Sequence, residues 1–198
     1  MKNLKLYLVL LTALVTTPMF AQIQFGAKAG VGSSNITKVH GISDSRIGFL
    51  AGGLAKIPLN YRTERHYIQA EVLYTNQGEY SVDLKDKKYK YFLNYINVPI
   101  MYKYYFDEQG SDFFVEAGPQ IGFKIGDKID LNSPERTNND PKSLDVALNA
   151  GVGYSLDRKY EINFRYSYGL IDTIDHIRWD NDKNTTSLFS LSLSYFFN

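Results

Sequence analysis

The feature that most restricts what this chain can become is an alternation of apolar and polar residues with a period of two, repeated segment after segment from Gln22 to the end. In the closing SLFSLSLSYFFN, Phe189, Leu191, Leu193, Tyr195 and Phe197 fall on one side and Ser190, Ser192 and Ser194 on the other. Successive side chains of an extended strand point to opposite faces, so one face of this segment suits hydrocarbon and the other does not. YEINFRYSYG repeats the split, with Tyr160, Ile162, Phe164, Tyr166 and Tyr168 against Glu161, Asn163, Arg165 and Ser167. DVALNAGVGYS, FFVEAGPQIGFK, YIQAEVLYTNQ, NYINVPIMYKYYF and QFGAKAGVGSS follow suit, and no sustained helical period interrupts them. IGFLAGGLAKI spreads its apolar residues over both faces and is the weakest strand of the set.

Eight strands result, each long enough for the ~9–11 residues that a tilted strand needs to cross a bilayer. The connections decide the architecture. A polar stretch from Ile36 to Arg46, the turn PLNYRTER, a stretch from Gly78 to Lys90, the short DEQGSD, a stretch from Gly126 to Lys142, the tight LDRK and a stretch from Ile171 to Thr185 alternate long with short. Transmembrane barrels have that rhythm, with short periplasmic turns and long outer loops, and an even strand count puts both chain ends on the periplasmic side. Pro99 and Pro119 fall inside two of these strands and are expected at bulges or strand ends, because proline removes a ladder donor.

A soluble lipocalin-like carrier is the rival with the same strand count, and its lumen is apolar. Here the non-apolar face carries Lys28, Glu71, Lys103, Glu116, Lys124, Asp145, Glu161 and Arg165. Four bases and four acids cost too much in a dry core unless they pair, whereas a polar lumen is normal for a membrane barrel. The expected fold is therefore an all-β, eight-stranded, antiparallel up-and-down transmembrane barrel with its apolar face outward. Eight strands leave a lumen that side chains can fill, so the charges form a plug rather than a channel. Tyr104, Tyr105, Phe106, Tyr154, Tyr160, Tyr195 and Phe197 are assigned to an aromatic girdle at the periplasmic ends, and Tyr74, Tyr91, Phe92 and Tyr168 to one at the outer ends.

At the N-terminus, Lys2 and Lys5 precede the apolar run LYLVLLTALV and then TTPMFAQ. This is the layout of a secretory signal peptide cut after Ala21, and the run is too short for a spanning helix. Residues 1–21 are thus expected to be removed, leaving 22–198 as the barrel domain. The chain has no Cys and a formal charge of +1, which excludes thiol catalysis and disulfides and gives no reason to expect nucleic acid.

NYINVPIMYKYYF, FFVEAGPQIGF, DVALNAGVGYSL, INFRYSYGLIDT and LSLSYFF, in this order, resemble the PorT-like outer-membrane β-barrel family over essentially the whole mature chain. The resemblance implies an eight-stranded barrel in the outer membrane of Gram-negative bacteria. The family's name comes from a member linked to protein secretion, and no residue carries that role over. Asn97 stands where the family's YxEIP-like stretch has an acid, and Asn198 follows the terminal aromatics. Phe196 and Phe197 remain to supply the signal read by the outer-membrane insertion machinery.

Chemistry is sparse. His40, His66 and His176 all fall in connections, on different sides of the barrel, so no catalytic triad is expected. Asp172, Asp175, His176 and Asp180 read as an acidic solvated loop. DNDKN has the first three ligand positions of a calcium loop but lacks its Gly and closing Glu. The glycines of GAKAGVG and GVGYS alternate inside strands and open no helix, unlike a phosphate loop. No enzyme, metal or cofactor is expected. The outer loops offer Arg46, Tyr80, Tyr89, Arg136, His176 and the single tryptophan, Trp179, as binding candidates. The expected role is structural or surface interaction, with outer-membrane lipid as the expected neighbour. A minor porin, a transport or secretion-assembly part and a soluble ligand-binding barrel are the alternatives.

Overall fold

The computed structural model describes residues 23–37, 43–59, 63, 65–82, 88–108, 110–130, 141–172 and 185–197. These form eight strands, β1 (Gln24–Thr37), β2 (Ser43–Pro58), β3 (His66–Val82), β4 (Lys88–Tyr105), β5 (Asp112–Ile129), β6 (Leu144–Leu156), β7 (Tyr160–Gly169) and β8 (Thr185–Phe196). Each strand pairs antiparallel with its sequence neighbours, and β8 returns to β1 to close the barrel. Closure leaves no unpaired edge, so the ladder satisfies the backbone without water. The expected signal peptide, His40, Arg136, Asp175, His176, Trp179 and DNDKN lie outside the described residues.

The alternation read from the sequence decides which way each strand faces. Leu193, Phe113 and Val72 are 65%, 64% and 56% exposed, while Lys28, Glu71, Lys103 and Glu161 are almost wholly buried. Apolar side chains outside and charges inside is the inverse of a soluble barrel.

Several expectations need correction. The strands run beyond the expected loop boundaries, so that 38–42 and 83–87 are all that separates β1 from β2 and β3 from β4. Tyr80, Tyr89 and Arg46 therefore stand on β3, β4 and β2 rather than in loops. The prolines mark neither bulges nor strand ends. On β3 and β4 the register is the same on both sides of Pro99, from Ala70↔Ile100 to Leu73↔Asn97. Pro119 likewise pairs with Leu148 in an unbroken β5–β6 register. The irregularities fall instead between Ser45 and Leu50 and between Asn94 and Tyr95. The periplasmic girdle loses Tyr105 and the outer one loses Tyr91, since both share the parity of Lys103 and point inward.

The tight connection at LDRK is present as a turn in which Asp157 and Arg158 take φ of 54° and 52° and Lys159 N–H donates to the Leu156 carbonyl. That geometry suits the right-handed twist of a two-residue hairpin. Gly78 on β3 has φ of 123°, and a Cβ there would lie 2.1 Å from the Tyr91 carbonyl oxygen. Gly78→Val is expected to lower the midpoint of urea unfolding in detergent, by about 1–3 kcal/mol of stability.

Candidate functional site: the lumen charge network

The lumen is layered. At the end where β1 begins and β8 finishes, the end expected to be periplasmic, Tyr67, Tyr105 and Phe114 pack together, with the Arg158 guanidinium 3.6 Å from the Tyr105 ring centre. At the outer end Ile36, Tyr91, Leu93 and Tyr95 form a second apolar layer, against which Ile129 packs. The ionic groups lie between these two lids.

Glu71 on β3 is the hub. It accepts the Lys28 ammonium at 2.6 Å, the Gln69 amide at 2.5 Å and two N–H groups of Arg165 at 2.8 and 2.9 Å. The two Arg165 bonds engage both carboxylate oxygens, the fork-on-fork arrangement that fixes direction as well as charge. Arg165 Nε also donates to Glu116 at 2.6 Å. Lys103 bridges the next step, 2.6 Å from Glu161 and 3.6 Å from Glu116, with the Gln69 carbonyl oxygen at 2.9 Å. Lys56 completes the network, donating to Glu161 at 3.0 Å and to the Tyr105 hydroxyl at 3.1 Å, while Tyr105 O–H donates to Glu161. The ring centres of Phe196 and Phe114 lie 3.8 Å from the Lys56 ammonium and 4.2 Å from that of Lys103.

Local sequence makes room for these long side chains. Gly151 on β6 lies directly between Glu116 and Arg165 in the ladder, and even a Cβ there would come within 3.2 Å of the Glu116 side chain. Ser190 and Ser194 on β8 face Arg165 and Glu161. The serine face of the last strand is thus the small side of a packed lumen.

Of the eight charges read from the sequence, six meet in this network: Lys28, Glu71, Lys103, Glu116, Glu161 and Arg165. Asp145 is buried but apart, accepting a bond from the Thr186 hydroxyl at 3.1 Å. Lys124 sits at the outer rim, donating to the Pro141 carbonyl at 2.9 Å and 3.5 Å from Asp127. Lys56 takes the place expected of Lys124 and was missed because β2 carries small residues on its outward face. The step Leu50, Gly52, Leu54, Lys56 is the signal that marks it as inward.

Above the ions lie Thr75, Asn97, Gln120, Asn149 and Ser167, which bond to one another around a void of about 20 Å³, room for one water. Tyr89 is buried, and Tyr80 packs edge-on against Phe92 at 5.2 Å. His66 lies at the periplasmic rim, where its Nδ1 is 2.6 Å from the Tyr102 hydroxyl. No three His, Asp or Glu side chains among the described residues are grouped to hold a metal.

A sequence model of the family described as "Outer membrane protein beta-barrel domain" matches residues 20–175. No curated protein matches the chain. Among solved structures the chain is similar to Ail, the attachment invasion locus protein of Yersinia pestis, at 12% identity and TM-score 0.51, over 88% of this chain and 98% of that one. It is also similar to the outer membrane protein OprG of Pseudomonas aeruginosa, at 15% identity and TM-score 0.51, over 89% and 94%. The outer membrane enzyme PagL matches at 11% identity and TM-score 0.51, over 85% and 98%. At such identities the likeness is one of fold.

Proposed function

Because this chain belongs to the outer membrane protein beta-barrel domain family, we propose that it resides in the outer membrane of a Gram-negative envelope as a closed, non-conducting barrel. In this reading its lumen is a structural plug and its outer end serves surface interaction. The observation that carries the proposal is the charge network itself. It ties six strands together, each of its three carboxylates bonds at least one base, and apolar lids cover it at both ends. An ion path needs water and mobile charge, and the void of about 20 Å³ beside the network has room for only about one water.

The purified chain in a planar bilayer is expected to give no steady single-channel current. Resolved, voltage-stable current steps would overturn the plug and favour a porin role.

The same reading makes the chain a non-enzyme. His66, the one described histidine, has its Nδ1 2.6 Å from the Tyr102 hydroxyl. It also makes outer-membrane lipid the partner of the exterior, and β8, with Phe196 and Phe197, the segment read by the insertion machinery. The order of the strand segments supports a place in the PorT-like branch, without a secretion role. The signal peptide expected at 1–21 supplies export.

A further inference from the structure

On β4 the outward row Tyr104, Tyr102, Ile100, Val98 and Ile96 gives way to Asn94, then Phe92 and Lys90. At ~3.4 Å per residue and a tilt of ~40°, the climb from Tyr104 to Phe92 is roughly 30 Å along the axis. The apolar band of such barrels is ~25 Å tall, so Phe92 faces outward at the level of the outer headgroups.

Cations surround that ring. Arg46 reaches from β2 across the bare backbone of Gly78, the ladder partner of Phe92, and lays its guanidinium carbon 3.7 Å from the ring centre. Its NH1 group donates to the Gln77 carbonyl at 2.7 Å, which fixes the plane. Lys128 on β5 is the ladder partner of Phe92 on the other side and is exposed. Lys90 is exposed on the same outward face, one alternate position above Phe92.

Two of the nearby acids close on other lysines, and the third sits on the backbone of Lys90 rather than on its ammonium. Asp44 closes on Lys88 at 2.5 Å, Asp127 lies 3.5 Å from Lys124, and Asp130 accepts the backbone N–H of Lys90 at 3.0 Å. Among the described residues, none forms an ion pair with Arg46, Lys90 or Lys128.

Resting on the outer-membrane placement above, we propose that Arg46, Lys90 and Lys128 around Phe92 bind the phosphate-bearing headgroup of an outer-leaflet glycolipid. With NH1 held by the Gln77 carbonyl, the stacked guanidinium still has its Nε and NH2 edge for two-point contact with phosphate, and the flanking ammonium groups add point charge. The group looks sideways from the wall at headgroup height, which is where a lipid phosphate lies and where a soluble ligand of the barrel mouth does not.

The test uses the folded chain in neutral micelles and native mass spectrometry with a phosphorylated, acylated glucosamine disaccharide. Its dephosphorylated counterpart and inorganic phosphate serve as comparison probes. The triple variant R46Q/K90Q/K128Q is expected to lose affinity for the phosphorylated lipid on the order of a hundredfold. Lys88→Gln, whose charge is already closed by Asp44, is expected to stay within about twofold of the native chain. Equal binding of both lipids, or undiminished phosphate-dependent binding by the triple variant, would overturn the proposal. Full displacement by millimolar inorganic phosphate would overturn the lipid assignment in favour of a soluble anion. Mobility on gels with and without boiling is read on every variant. Loss of the shift in the native chain would contradict the barrel placement, whereas a retained shift with no headgroup binding would contradict this site alone.

Discussion

Arg165→Met is expected to destabilise the folded barrel by about 3–5 kcal/mol, the cost of leaving buried charge without its partner. Glu71 would lose its two-point contact and keep Lys28, while Glu116 would be left with Lys103 at 3.6 Å. Neither carboxylate can reach water, since both side chains are wholly buried. The measurement is urea unfolding of the detergent-folded chain, followed by tryptophan emission and by loss of the boiling-dependent gel shift. A companion variant sharpens it. Arg165→Met with Glu116→Gln removes the carboxylate left 3.6 Å from its remaining base, while Glu71 keeps Lys28 and Lys103 keeps Glu161, and is expected to recover part of the loss. Breaking one partner of a buried pair is costlier than removing both. If the single variant costs no more than a surface change, the network does not hold the lumen.

The second large effect lies on the other face. Val72 on β3 is exposed and falls between the pairs Ala70↔Ile100 and Leu73↔Asn97, midway along the outward row that runs between the rim tyrosines and Asn94. Val72→Arg is expected to cost roughly 2–4 kcal/mol in lipid vesicles, because a guanidinium at the bilayer midplane loses its hydration. Ser33→Arg, on an outward position of β1 nearer the outer end, is expected to cost about 0–1 kcal/mol, since the penalty falls toward the interface. A soluble barrel would show no such dependence on depth. Equal, small effects at both positions would show that no hydrocarbon covers this surface.

Both predictions rest on the face assignment, and that was legible from alternation alone. Every outward residue of β7 and β8 in the sequence reading is outward in the structure. Parity gives the face of a residue but not its depth, which is why Lys124 was grouped with the lumen charges. It has the right phase, yet stands where β5 leaves the apolar band, and there Asp127 and the Pro141 carbonyl engage it. Lys56 failed for the opposite reason. Outward Ala51, Gly53 and Ala55 are small, inward Leu50 and Leu54 are large, and the usual contrast between the faces of β2 is reversed. Tyr105 was placed in a girdle by its type and its nearness to a strand end, although it shares the parity of Lys103. Parity was the better guide.

Loop boundaries were the least legible part. Polar residues such as Ser45, Glu79, Lys90 and Asp127 read as connection, but in a strand that faces a polar lumen, or rises beyond the apolar band, polarity no longer distinguishes strand from loop. The network's pairing was foreshadowed by the balance of charges. Its actual partners depend on register, as in the meeting of Glu71 with Arg165 across the lumen from β3 to β7, and no local pattern encodes that.

The central claim is an outer-membrane barrel with lipid outside and a sealed ionic lumen. It is tested most directly by expressing the chain in a Gram-negative host, isolating the outer membrane and comparing gel mobility with and without boiling. The account predicts a band in the outer-membrane fraction that migrates differently before and after boiling, as a detergent-resistant barrel does. A water-soluble chain with the same mobility in both samples would contradict it.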